Sequence, residues 1–384
     1  MKKSFLFFKN STVLSISAII SLAGFILAFL IVESEVWFLG LMVLGLVLLG
    51  GFRKHKLDTS IKKFSEKNPS YFYLVVMISI IGILYFLRNQ HFPLFMLASV
   101  AIFSTVCLGL TIQLGYAGLT NFAAAAFFGI GGYTMFIMGQ KGFSDINSLL
   151  IAGFMAAFMS SLLILPILRT RGHYAALVTI AFALLFKTFL EINDSLGGPQ
   201  GVKLDSIILM GWDFSASYLE SSFYLNYAVF SLILMIVTFF FTLLLDKSWI
   251  GLQWDAIRQD ETVSASFGIN VAGWKILAFV LGNFFIGLSG AVYATMLGHI
   301  APTNFTFGDS LLFISIVILG GIGNPLGIIP ASLIIFVVPE KLQFIQEYRH
   351  LLFAVLVILV LLYRPDGFVK KQLRSYYRGW GKNL

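Results

Sequence analysis

The sequence predicts an all-α polytopic bundle of transmembrane helices, and three observations carry that reading. Of the 384 residues, 58% are apolar or aromatic and 11% are charged, where a soluble domain carries about 25% charge. Surface this apolar has no place in water, which excludes a soluble enzyme, a disordered chain and a secreted disulfide scaffold. Long apolar runs follow one another without period-two alternation, so the spans are helices and not barrel strands. The basic residues, finally, are distributed unequally between alternate loops.

The elements follow in order. A crossing needs about 20 apolar residues at 1.5 Å each. Runs of this kind, some of them short, occupy 12–32, 36–52, 71–87, 94–113, 120–139, 148–168, 175–190, 223–245, 275–297, 309–321, 326–340 and 350–363. The expectation is about twelve spans, ten in a core and two N-terminal. Lys2, Lys3 and Lys9 ahead of the first run imitate a secretory signal. That run exceeds an h-region of about 7–15 residues, and no small-x-small site follows, so a retained helix is expected.

With the N-terminus inside and the spans alternating, 20 of the 26 Lys and Arg residues fall inside and five outside (Arg88, Lys141, Lys203, Lys341, Arg349). Lys187 lies in a span. This bias predicts an N-in, C-in topology. The basic linker 52–70 and tail 364–384 abut apolar spans, so anchoring on anionic lipid is favoured over nucleic acid, which is not expected as a partner. One cysteine, Cys107, and five histidines without HxxxH spacing give no metal site.

Five segments depart from plain spanning helix. Gly115-Tyr116-Ala117-Gly118, with Asn121 and the Ala123–Ala126 run, reads either as close helix packing or as a broken helix lining a polar route. Ala125 and Gly129 form a small-xxx-small pair. Gly320-Gly321-Ile322-Gly323-Asn324-Pro325-Leu326-Gly327 is a second break, since Pro325 cannot continue a helix. Arg169 and Arg171 form an inside anchor. The acidic loop 191–222, with Gly197-Gly198-Pro199-Gln200-Gly201, is expected outside, as a partner surface or a plain solvated loop. Lys187 and Glu191 are spaced to pair at i,i+4. The longest inside loop between late spans, 246–274, contains a short helix at 252–268. Its apolar face is predicted from Leu252, Ala256, Val263 and Phe267, and Gly268 is its C-terminal cap. Asp255, Asp260 and Glu261 against Arg258 make it a poor lipid binder and favour a protein partner.

These segments resemble motifs of ABC-importer permeases, above all the LivM-type branched-chain amino acid permease family. The motifs are Gly115–Gly118 with Phe127–Gly131, Arg171–Thr179 leading to Gly198–Gly201, Gly251–Gly290, Gly320–Gly327, and Tyr363-Arg364-Pro365-Asp366-Gly367. They stand in the family's order over roughly 94–368. The resemblance implies a permease core at 91–368, an N-terminal extension at 1–90 with two or three spans, and a basic cytoplasmic tail at 369–384. It implies a non-enzymatic subunit of the bacterial inner membrane, working by alternating access. Its implied partners are ABC ATPase subunits, a second permease subunit, a periplasmic or lipoprotein solute-binding protein, and the lipid bilayer. No GxxxxGK[ST] loop is present, so ATP and Mg belong to the ATPase partner, and this chain is expected to bind no cofactor.

The implied ATPase-coupling residues are Trp254, Arg258, Asp260, Glu261, Ala265 and Gly268. The translocation-path candidates are Tyr116, Asn121, Thr179 and Asn283, with Asn193 beside them, because a polar solute needs partners along its route. The broken-helix and turn residues are Gly115, Gly118, Gly320, Gly323, Asn324 and Pro325. The chain departs from the family at Leu119, Asn121, Ala123, Ala124 and Leu184, where members often carry more polar residues. A urea or short-amide importer permease remains an alternative. A stand-alone secondary carrier would need ionisable pairs deep in the spans, which are lacking. A membrane enzyme would need a catalytic cluster, and His173 with Arg169 and Arg171 lacks a carboxylate.

Overall fold

The computed structural model describes residues 2–54, 69–169, 174–209, 211–215 and 222–342, with isolated positions between 348 and 369. Most of the basic linker, residues 170–173, most of the run 350–363, Tyr363–Asp366 and the tail from 370 onward lie outside the described residues. The described chain is overwhelmingly helical and falls into two compact units.

The first unit comprises Met1–Ala98, Ala216–Val229 and Val337–Gln346. It holds helices α1 (Lys2–Ile31), α2 (Glu35–Lys54) and α3 (Pro69–Leu87). It also holds the start of α4 (His91–Leu110). The Phe29 and Phe38 rings, 4.7 Å apart, join α1 to α2. Polar contacts collect where helices end. Lys341 Nζ donates to the Leu30 carbonyl at 2.8 Å and lies 5.2 Å from the Phe92 ring centre. The Ser222 amide donates to Arg88 O at 2.8 Å, and the Ser222 hydroxyl pairs with His91 Nδ1.

The second unit comprises Ser99–Ser215, Phe230–Phe336 and Glu347–Leu384. Here α4 runs on as a π-helical turn, Thr111–Tyr116. Helices α5 (Ala124–Gln140), α6 (Asp145–Arg169) and α7 (Tyr174–Ile192) follow. Short strands β1 (Val202–Lys203), β2 (Ile208–Leu209) and β3 (Trp212–Asp213) come next, then α8 (Tyr224–Lys247), whose first turns belong to the first unit. The later elements are α9 (Trp249–Gln259), α10 (Glu261–Ser266), α11 (Val271–Leu297), strand β4 (His299–Ile300), α12 (Phe307–Gly320) and α13 (Ile328–Lys341), whose end lies in the first unit.

Among the described residues, six helices are long and apolar enough to cross a bilayer: His91–Tyr116, Asp145–Leu168, Tyr174–Ile192, Tyr224–Lys247, Val271–Leu297 and Pro302–Gly320. The chain is a multi-pass membrane protein. The run 120–139 yields the 17-residue α5, buried from Ala124 through Met135.

Helix α11 packs against both α5 and α6. Lipid tails are as apolar as a protein interior, so close backbone approach at small residues, not apolar burial, drives such packing. A Cβ on Gly131 would stand 1.9 Å from Gly287 O, and one on Gly290 would stand 1.9 Å from Phe128 O. Gly287 itself faces Ala156. Gly129, half of the expected small pair, gives its space to the Phe186 and Phe305 rings.

The described part of the acidic loop carries short turns and strands. Its Gly-Pro motif forms a 3-10 turn at Gly198–Gln200, and β1 then pairs antiparallel with β4. Gly201 has φ +77°, and a Cβ there would meet Ile300 O at 2.1 Å. Strands β2 and β3 pair with each other, and Asp145 Oδ2 accepts the Ile208 amide at 2.7 Å. Lys187 and Glu191 pair at 3.4 Å, as their spacing predicts.

Candidate functional site

All the site residues described below lie in the second unit. The first break is a true interruption of α4. The π-turn at Thr111–Tyr116 ends in an irregular stretch with Gly118 at φ +71°, and helix resumes only at Ala124. Irregular backbone at membrane depth persists only where protein or water satisfies its polar groups. Buried side chains do so here. The Phe122 amide donates to Thr179 Oγ1 at 3.1 Å, and that hydroxyl donates to Ala176 O. The Ala123 amide donates to Asn121 Oδ1 at 2.9 Å, and the Ala125 amide to Ser310 Oγ at 3.0 Å.

Asn121 also organises an amide cluster. Its Nδ2 donates to Gln113 Oε1 at 2.9 Å and to Asn283 Oδ1 at 3.1 Å. Gln113 Nε2 donates to Phe279 O at 3.2 Å. Gly282 makes room for Gln113, whose Nε2 would stand 2.4 Å from a Cβ at that position. Gln113, Asn121 and Asn283 are all buried, and Asn283 Nδ2 has no hydrogen-bond partner among the described residues. A buried donor left unpaired costs about 1–3 kcal/mol.

The structure thus brings three path candidates, Asn121, Thr179 and Asn283, to one break. Gln113 was not singled out from the sequence; a lone amide inside an apolar run was the only signal it offered. Tyr116 is buried nearby and donates to Thr242 O at 3.4 Å. Asn193 is elsewhere: it caps the 3-10 turn at Asp194–Leu196 by accepting from Ser195.

The second break abuts the first. Gly321 and Gly323 take φ +112° and +86°, and Asn324 accepts the Leu326 amide ahead of a 3-10 turn opened by Pro325. Gly320 and Gly327 touch through backbone, with Gly320 O 1.8 Å from where a Gly327 Cβ would be. Gly323 lies against Gly115. The chain returns beside this turn: the Phe368 amide donates to Leu319 O at 2.8 Å, and Gly367 packs on Gly321.

The expected single helix at 252–268 is instead two. Asp260 is extended (φ −158°, ψ 115°), ends α9 and caps α10 by accepting from the Thr262 and Val263 amides. An aspartate that bonds amides two and three residues on favours a new N-terminus over helix interior. The apolar face read from the sequence lies mostly on the open side of these two helices. Leu252, Val263 and Phe267 are exposed, Phe267 by 82%, while Gly251, Trp254, Ile257 and Ser264 are buried. Gly268 does cap the helix, at φ +82°, with its amide on Ala265 O and that of Ile269 on Ser264 O.

The residues expected to couple therefore divide. Trp254 is fully buried, donates from Nε1 to Trp274 O at 2.9 Å and stacks with Tyr116 at 6.5 Å. Arg258 Nη1 donates to Gly115 O, on the first break. Glu261 pairs with Lys275 Nζ at 2.5 Å, tying α10 to α11. Asp260, Ala265 and Gly268 are exposed.

The family described as branched-chain amino acid transport system / permease component matches residues 92–361. The high-affinity branched-chain amino acid transport system permease protein LivM of Escherichia coli K12 is 32% identical over 281 residues, covering 68% of this chain and 66% of that protein. The chain thus spans a little under two thirds of that relative's length. LivH of Salmonella typhimurium is 25% identical over 286 residues, covering 70% of this chain and 91% of LivH. A probable LivM of Methanocaldococcus jannaschii is 24% identical over 327 residues, covering 70% of this chain and 90% of that protein. No solved structure matches the chain. With the family matched over most of its length, and with both glycine breaks and the helices α9 and α10 in the matched region, the chain belongs to the permease components of branched-chain amino acid transport systems.

Proposed function

We propose that this chain is a permease subunit of an ATP-driven importer for branched-chain or related amino acids, working by alternating access in a bacterial inner membrane. It hydrolyses nothing itself; ATP and Mg act on separate ATPase subunits. A second permease subunit and a solute-binding protein complete the system. The observation that carries the reading is the placement of α9 and α10. They leave an exposed apolar and polar edge, Thr262, Val263, Ala265 and Phe267, while their buried side rests on the interrupted helix. A free edge backed by a path-lining break is what an ATPase-driven lever requires.

The translocation path runs past the amide cluster. The unpaired Asn283 Nδ2 is a donor for a solute carboxylate or carbonyl oxygen, offered without any formal charge on the protein. The twelve-span, N-in and C-in topology is part of the proposal, with the extension at 1–90, the core at 91–368 and the tail at 369–384. In support of it, Lys341 reaches the Leu30 carbonyl and Ser222 reaches Arg88 and His91, all residues that this topology puts at outer span ends.

Affinity purification from native membrane tests the function. An ATPase subunit and a second permease are expected with the wild type. Val263→Asp with Phe267→Asp is expected to lose the ATPase and keep the second permease. Purification of the wild type alone and intact refutes the importer. Uptake of labelled leucine against labelled urea then separates the amino-acid from the amide reading.

A further inference from the structure

We infer that Arg258 and Trp254 are positioning residues that clasp the docking segment to the broken helix, so that movement of α9 is delivered to the amide cluster and not dissipated. The inference rests on the importer reading above and goes beyond it by naming the linkage. Four observations carry it, from different groups on the two sides.

The first is an orphan carbonyl. Interruption of α4 after the π-turn leaves terminal carbonyls without helical partners. The Leu119 amide takes Gln113 O and the Ala117 amide takes Ile112 O, while Gly115 O is taken by the Arg258 guanidinium, 143 residues away in sequence. A cation at a helix C-terminus also meets the negative end of the helix dipole. The second is close approach. A Cβ on Gly118 would stand 3.3 Å from Arg258 Cγ, so the arginine stem lies directly on the backbone of the break. The third is aromatic. Tyr116, between those two glycines, stacks on Trp254 at an interplanar angle of 18°, and Trp254 is anchored through Nε1 to Trp274 O on α11. The fourth is the short path onward. Gln113, two residues before Gly115, holds Asn121, which holds Asn283.

Displacement of α9 toward or away from the membrane therefore pulls on the Gly115 carbonyl and the Tyr116 ring together. Both are fixed to the same π-turn that carries Gln113. Movement of the turn therefore changes the Gln113–Asn121–Asn283 bonds, which are buried polar contacts of the break.

The test uses the complete transporter in proteoliposomes, with uptake, ATP hydrolysis and retention of the ATPase subunit measured together. Arg258→Ala is expected to retain the ATPase and to lower uptake per ATP about tenfold, the effect of one charge-assisted hydrogen bond. Arg258→Lys, which still reaches a carbonyl with a cation, is expected to recover part of that ratio. Trp254→Phe keeps the stacked ring but loses the bond to Trp274 O, and is expected to lower the ratio less. It also serves if Arg258→Ala fails to fold or to pair with the second permease. An unchanged uptake-to-hydrolysis ratio in all three variants overturns the clasp. Loss of the ATPase from Arg258→Ala also overturns it, because Arg258 then belongs to the docking edge. A wild type that binds no ATPase overturns the importer reading, and the clasp with it.

Discussion

A Cβ added to Gly115 would stand 2.8 Å from the Cα of Gly323, so the two helix breaks touch backbone to backbone. They lie in separate parts of the sequence; Gly115 has no room for a side chain at the contact, and Gly323 holds φ +86°. Gly115→Ala is expected to separate the breaks and lower thermal stability in detergent by about 1–3 kcal/mol, the usual cost of overpacking. Gly323→Ala adds strain at φ +86° and is expected to cost more. A thermal-shift series that ranks the two variants checks the order.

The glycines where α5 meets α11 give a second case. Gly290→Ala places a methyl group 1.9 Å from Phe128 O, and Gly131→Ala places one 1.9 Å from Gly287 O. Each is expected to destabilise more than an alanine at Gly139, which has open space around it. Equal melting temperatures for all three variants would contradict the packing described.

The amide cluster predicts a non-additive pattern. Asn121→Ala strips partners from Gln113 Oε1 and Asn283 Oδ1 at once. Hydrogen bonds between membrane helices contribute about 0.6 kcal/mol on average and up to about 1.7. A double-mutant cycle of Asn121→Ala with Gln113→Ala is expected to show coupling in that range, and uptake is expected to fall in each single variant.

The pair Glu261–Lys275 is half-exposed at the glutamate. Its contribution is therefore small, about 0.2–1 kcal/mol, and screened by salt. Glu261→Lys is expected to loosen α10 from α11, and the exchange of both charges to restore it. Protease sensitivity of the 259–270 segment at low and high salt reads out both effects.

Gly201→Ala is expected to unpair β1 from β4, since its φ of +77° and the Ile300 carbonyl at 2.1 Å both exclude a side chain. Faster proteolysis in the 197–209 loop, with the helical content unchanged by circular dichroism, is the expected result.

Much of this was legible in the sequence. Hydropathy marked the helices, glycine and proline marked the two breaks, and the spacing of Lys187 and Glu191 marked their ion pair. Those signals are local: a span needs a run of apolar residues, a break needs residues that leave the helix, and an i,i+4 pair needs only the helix itself. The helix at 252–268 was misread because Asp260 sits among residues that tolerate helix, and only its bonds to the Thr262 and Val263 amides reveal a cap. The sequence does not give its buried side, because Trp254 finds its partners, Trp274 and Tyr116, elsewhere in the chain.

The sequence by itself determined that this chain is a helical membrane protein, where its helices break, and which family's motifs it carries. Only the tertiary structure decided that Gly115 meets Gly323, that Gln113 joins Asn121 and Asn283, and that Arg258 donates to the Gly115 carbonyl. The reason is the solvent. In water an apolar face announces which side of a helix is buried, but in lipid both sides are apolar. Which faces meet is then set by small residues and a few polar bonds between positions far apart in the chain, and no local pattern records those pairings.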